Sequence, residues 1–159
     1  MEQLIKIHSK RFLIIFVFAF SMVAFSSCKV VLLPSYDATI AEQIDNTAKA
    51  IDKFYLSMLE TTNVTNDGRA FNKFADKYVE IEVELNSLLN KNKIRPLNKN
   101  SIKIGEITLQ LWQKYKQEHK EDNTLSDGLI KLNRKTFSDL LYAMQVAEKG
   151  KELVNNPPD

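Results

Sequence analysis

Four stretches of the chain repeat apolar residues every three or four positions, the spacing that gathers them on one face of a helix. The first, about Asp37 to Glu60, sets Ile40, Ile44, Ala48, Ile51, Tyr55 and Met58 on one stripe, with Pro34 and Ser35 supplying its start. The second, about Arg69 to Asn90, has the most regular repeat of the chain, Phe71, Phe74, Tyr78, Ile81, Leu85 and Leu88. Its steps alternate three and four, as in the seam of a bundle. The third, about Lys99 to His119, carries Ile104, Ile107, Leu111 and Tyr115 on one line, with Ile102, Leu109 and Trp112 round to one side. That apolar arc covers roughly 220°, much wider than a simple amphipathic face of about 100°. A surface so wide must be buried inside the fold or used outside it, which makes Trp112, Leu109 and Ile102 the candidate partner-contact residues. The fourth stretch, about Leu125 to Lys149, carries Leu129, Leu132, Phe137, Leu140, Leu141, Met144 and Ala147.

The segments between these stretches break helices. Thr61 to Gly68 is rich in Thr, Asn, Asp and Gly and predicts a loop. Pro96 lacks an amide donor and disfavours helical geometry at Arg95, so it ends anything continuous with the second helix. Glu121 to Asp127 turns the chain again, with Thr124 and Asp127 spaced as in a capping box, and Gly150, Asn155, Asn156, Pro157 and Pro158 terminate the last helix. No segment alternates as a strand. The prediction is an all-α fold, an antiparallel up-down four-helix bundle. Gly105 and Gly128 fall within or near the start of helices, each costing about 1 kcal/mol against alanine, which close helix contact or local bending would offset.

Ahead of the helices lies a leader in three parts. Lys6, Lys10 and Arg11 face a single acid, Glu2, and Phe12 to Phe25 is almost wholly apolar, interrupted by Ser21. At about 1.5 Å per residue that apolar run reaches roughly 21 Å, short of the roughly 30 Å of a bilayer's hydrocarbon core, which favours a cleaved signal over a permanent span. Phe25, Ser26 and Ser27 then lead to Cys28, the one cysteine of the chain. This arrangement resembles the lipobox of bacterial lipoproteins, in its looser Bacteroidota form, with Phe25 where leucine is usual. From the Ser, Ser, Cys region through Pro34, Ser35, Tyr36 and Asp37, the chain is similar to small helical lipoproteins of that group.

The resemblance implies a signal peptide over residues 1–27, lipid attachment at Cys28, a tether over 28–36, a bundle over 37–154 and a frayed tail over 155–159. It implies a membrane partner through the lipid anchor. Lys29 is not the aspartate that commonly retains lipoproteins at the inner membrane, and no acidic cluster follows Cys28. The implied location is therefore the outer membrane of the cell envelope, facing the periplasm. Val30, Val31, Leu32 and Leu33 make the tether apolar, which suits a segment lying along the bundle or at the bilayer interface.

Charge sharpens the partner classes. Removing Lys6, Lys10, Arg11 and Glu2 from 22 basic and 20 acidic residues leaves 19 of each, so the basicity belongs to the leader and no electrostatic case for nucleic acid remains. A lone cysteine also rules out an internal disulfide and a cysteine-rich metal site, so packing must hold the core.

Residues for chemistry are sparse, and the expectation is no catalytic, metal or cofactor site beyond the lipid on Cys28. His119, set among Lys116, Glu118, Lys120, Glu121 and Asp122, reads as a solvated helix end. Glu80 and Glu84, one turn apart and with Lys77 and Glu82 nearby, read as a charged helix surface rather than part of a calcium site. Lys91, Lys93, Arg95, Lys99 and Lys103 read as a solvated loop favoured by the preceding helix's dipole, ahead of an anion or lipid-headgroup site. Asn63, Val64 and Thr65 match a glycosylation acceptor, a weak pattern in a bacterial setting. The leading expectation is a non-enzymatic envelope lipoprotein that binds an envelope protein through one bundle face. The alternatives are a small-ligand-binding or toxin-inhibiting module and, from another class, an envelope hydrolase that uses acidic residues.

Overall fold

The computed structural model describes residues 33–155. The leader, Cys28, the tether as far as Leu32 and the tail beyond Asn155 lie outside the described residues. Four long helices and no strand make up the described chain: α1 (Ala38–Thr61), α2 (Ala75–Lys93), α3 (Lys99–Asp122) and α4 (Asp127–Asn155), with short 3-10 turns at Thr65–Asp67 and Phe71–Lys73. Each helix packs on two others, α1 on α4 and α2, and α3 on α2 and α4, so the four close a bundle around one core.

Local chemistry sets the boundaries. Asp37 caps α1 from an extended backbone, its Oδ1 accepting from the amides of Thr39 at 2.9 Å and Ile40 at 3.2 Å. The Thr39 hydroxyl on the same carboxylate, helped by those amides, holds Asp37 below the usual carboxylate range. Asn123 ends α3 in the left-handed region, φ 53°, a conformation asparagine tolerates well. Ser126, not the predicted Thr124 and Asp127 pair, starts α4: its Oγ accepts from the amide of Leu129 and its carbonyl from that of Ile130.

Two other boundaries differ from the periodicity. Arg69 to Phe74 is not the first turn of α2. Ala70 is extended and Phe71–Lys73 is a 3-10 turn, in which a three-residue spacing also aligns side chains, so Phe71 and Phe74 still pack against the core. The last helix runs to Asn155, past Gly150, because Glu148 and Lys151 continue its buried face.

The core is aromatic at its centre. Phe54 lies 4.9 Å from Tyr55 and 4.8 Å from Tyr78, Tyr78 lies 5.1 Å from Trp112, and Trp112 lies 5.3 Å from Phe137, mostly edge to face. Such pairs add about 0.5–1.5 kcal/mol each beyond their area. Gly105 sits where α3 meets α2 and α4: a Cβ there would stand 3.1 Å from Leu89 Cδ1 and 3.2 Å from Met144 Cε. Close helix contact thus accounts for that glycine. On α4 the buried line is Ile130, Asn133, Phe137, Leu141, Met144, Glu148 and Lys151, whereas Leu129 and Leu132 are exposed, one residue out of phase with it.

Candidate functional site

Each end of the bundle is locked by an arginine turned into the fold, Arg69 buried and Arg95 half-buried, and a groove runs along one flank. At the first end Arg95, from the turn between α2 and α3, meets Glu148 of α4 with two hydrogen bonds of 3.0 Å. Glu148 also accepts from Lys151 and, at 3.0 Å, from the amide of Asp37. The Arg95 guanidinium reaches on to the carbonyl of Ser35, and Lys151 reaches Ser101 Oγ at 3.1 Å. One carboxylate, 2 % exposed, therefore ties together the segment before α1, the α2–α3 turn and the last turns of α4.

Burial alone would push Glu148 up, but the hydrogen bonds from Arg95, Lys151 and Asp37 outweigh it and hold the carboxyl below its ordinary range. Lys151 moves the other way: burial lowers it in spite of the bond to Glu148. Arg95, on the same carboxylate, repels Lys151 and adds to that lowering. Asn92 and Asn98 complete this end, the Asn98 side-chain amide donating to Asn92 Oδ1 at 2.8 Å.

At the opposite end Arg69, its side chain 3 % exposed, donates to the carbonyl of Leu125 at 3.0 Å, to Asp127 at 2.6 Å and to Thr62, which joins both loops there. Its own carbonyl accepts from His119 Nε2 at 2.8 Å. Nε2 therefore carries a proton, and in the neutral imidazole that burial favours Nδ1 accepts from the Tyr78 hydroxyl, 3.0 Å away. Gly68 lets this loop close, since a Cβ there would stand 2.2 Å from the carbonyl oxygen of Asn63.

His119 is therefore not the predicted solvated helix end. It is fully buried, and burial lowers its pKa, with the Arg69 carbonyl and Asp122 pulling weakly the other way. Trp112 is fully buried too, its Nε1 donating to the Tyr78 carbonyl at 3.1 Å. It belongs to the core and leaves the candidate contact surface. Leu109 and Ile102 are half-buried, so the wide apolar arc of α3 is largely consumed by packing.

Glu80 pairs with Lys77 on the surface. Glu84 accepts from Gln43 in a shallow depression lined by Thr39, Glu42, Ser87 and Lys91, which does not include His119. Glu82 faces α3, where hydrogen bonds from Lys116 and Gln113 outweigh the effect of burial and hold it below the usual range. Among the described residues no group of three His, Cys, Asp or Glu side chains could hold a metal ion, and no helix is long and apolar enough to cross a membrane.

Sequence periodicity did not single out the groove between α1 and α4, a concavity of about 650 Å³. Its floor is Ala48, Ile51, Leu56, Phe137, Leu141 and Tyr142, and its rim is Lys49, Asp52, Lys53, Glu60 and Arg134. Asp52 and Arg134 pair across it at 2.6 Å, both partly exposed. Apolar floor, charged rim and an extent of about three helical turns suit an amphipathic helix better than a small polar molecule. No protein-family model, curated protein or solved structure matches the chain.

Proposed function

We propose that this chain is a lipid-anchored, non-enzymatic helical module of the bacterial envelope, attached through Cys28, that binds an amphipathic segment of another envelope protein in the α1–α4 groove. The observation that carries the partner half is the apolar surface that Leu56 and Tyr142 expose, above the buried Ile51, Phe137 and Leu141, beneath a mixed-charge rim. Binding, rather than hydrolysis, is favoured because His119 spends both ring nitrogens inside the fold and Glu80 and Glu84 make ordinary surface contacts. The leader and the Ser26, Ser27, Cys28 sequence carry the anchor half. The same reading takes the helices as antiparallel in up-down order. For α1 and α4 it is supported by Asp37 beside Glu148, Asp52 beside Arg134 and Thr62 joined through Arg69 to Leu125.

Two measurements test it. Metabolic labelling with a fatty-acid probe should mark the wild-type protein and leave Cys28→Ala unmarked; an unmarked wild type removes the anchor. A photo-crosslinking residue at Tyr142, activated in the native envelope, should give a discrete adduct that Leu56→Asp, a change at an exposed position, suppresses. Adducts of equal yield from exposed positions on α2 would remove the groove as the binding face.

A further inference from the structure

The end of the bundle where Ser35, Arg95 and Glu148 meet carries outward-facing residues that its interior contacts do not use. The turn from Ile94 to Asn98 exposes Ile94 by 82 % and Leu97 by 57 %, with Pro96 exposed between them. Leu97 sits at φ 60°, in the left-handed region that a bulky side chain adopts only under strain. A leucine there returns little burial to the fold, and glycine or asparagine would take the same turn more easily. Around the turn stand exposed lysines. Lys99 and Lys103 pair with no carboxylate among the described residues, Lys91 bonds to the neutral Gln43, and Lys93 reaches Glu106 only at 3.8 Å. The carboxylate at the centre, Glu148, is buried and fully engaged.

We infer that this end is a membrane-docking tip: Ile94 and Leu97 enter the interfacial layer of a bilayer, and Lys99 and Lys103, with Lys91 and Lys93 behind them, take the phosphates of anionic lipids. Three observations select a lipid surface as the occupant. The charges are complementary to anionic headgroups. The apolar side chains project from a turn instead of lining a groove, as interfacial anchors do. The chain also enters the described structure at this end, Leu33 lying close before the Ser35 and Asp37 contacts, and Leu33 follows Cys28 by only five positions, a span of at most about 17 Å. The third observation rests on the lipid-anchored reading; the first two do not.

The test uses the full chain, in which an acylated Cys28 leaves any introduced cysteine as the single free thiol. Leu97→Cys and Thr124→Cys, the latter at the opposite end, are each labelled with an environment-sensitive fluorophore and the protein is placed in vesicles containing phosphatidylglycerol. Emission from position 97 should shift to the blue and be quenched by brominated lipids, and emission from 124 should do neither. Replacing Lys99 and Lys103 together by glutamine should lower the ratio of docked to solvated label about thirtyfold, and high salt should act in the same direction. Equal emission from the two positions overturns the inference, and so does a shift at 97 that requires added envelope protein, which would make the tip a protein contact. Mass spectrometry of Cys28 reads the anchor separately. Should Cys28 prove unmodified, the same labels in a Cys28→Ser background still report whether position 97 meets lipid.

Discussion

The two ends of the bundle solve one problem, fastening loops across a helical core, with different chemistry. The Arg95 end uses full charges: one buried carboxylate shared by an arginine, a lysine and a backbone amide. The Arg69 end adds a neutral relay, from the Trp112 indole to the Tyr78 carbonyl and from the Tyr78 hydroxyl through His119 to the Arg69 carbonyl, to a buried arginine whose ion-pair partner, Asp127, is open to solvent. The surroundings differ in the same sense. Lysines and apolar side chains surround the first end, and Asp67, Asp122, Glu121 and Asp127 lie at the second. A charged lock is strong while every member is present and fails badly when one is lost, whereas a neutral relay loses its bonds one at a time.

The largest test of that contrast is Glu148→Ala. It strands Arg95 and Lys151 in a buried site, and denaturant unfolding should show a loss of about 3–5 kcal/mol. Arg95→Ala together with Glu148→Ala should cost less than the sum of the two singles. At the other end His119→Leu removes two hydrogen bonds and leaves the Tyr78 hydroxyl and the Arg69 carbonyl unsatisfied, at about 2–4 kcal/mol in total. A larger loss for His119→Leu than for Glu148→Ala would reverse the comparison.

Acid separates the ends without mutation. The folded state keeps His119 neutral, its pKa being lowered by burial, so the unfolded chain binds the extra proton first. Its contribution is fully present above the ordinary histidine value of about 6.5 and is lost as pH falls from there through the lowered folded value. Glu148, also lowered, keeps its contribution above the ordinary glutamate range and loses it only in a more acidic window. Melting temperature against pH should therefore fall in two stages, and His119→Gln should flatten the upper one alone.

Smaller still, Leu97→Gly should stabilise the fold by about 0.5–1 kcal/mol by relieving the left-handed leucine, even as it weakens lipid contact. Opposite signs for folding and docking would mark Leu97 as serving the surface. The smallest effect belongs to Leu132→Gln on the exposed side of α4, within about 0.5 kcal/mol by thermal melting.

Much of the helical layer was legible. The stripes of the first two helices place Ile44, Ile51, Tyr55, Tyr78, Ile81, Leu85 and Leu88 where the structure buries them, and Pro96 and the Thr61–Gly68 composition mark real connections; on α3 the predicted line of Ile104, Ile107, Leu111 and Tyr115 is only half-buried, and Ser101, Gly105, Thr108, Trp112 and His119 face inward instead. The polar locks were missed because an apolar criterion stops at the first charged residue. His119 lies seven positions after Trp112, two turns along the same face, yet its charged sequence neighbours suggested solvent. Glu148 follows Met144 by four and Leu141 by seven, and Lys151 follows Met144 by seven, so helical phase alone would have flagged both as inward-facing. The same phase, run back from Phe137, points to Asn133 and Ile130 and away from Leu132 and Leu129. What no spacing could supply is the partner choice: that Arg95 and Arg69, each beside a helix break, turn inward depends on which turns the fold brings together.

Seen as a mechanical part, the junction at Ser35 and Asp37 has a further consequence. A pull on the chain ahead of Leu33 bears on the buried Pro34, on the Arg95 bond to Ser35 and on the Asp37 amide at Glu148, all at the mouth of α1, before it reaches the aromatic core. Those contacts stand in the load path ahead of the aromatic interior, in the place of a strain relief.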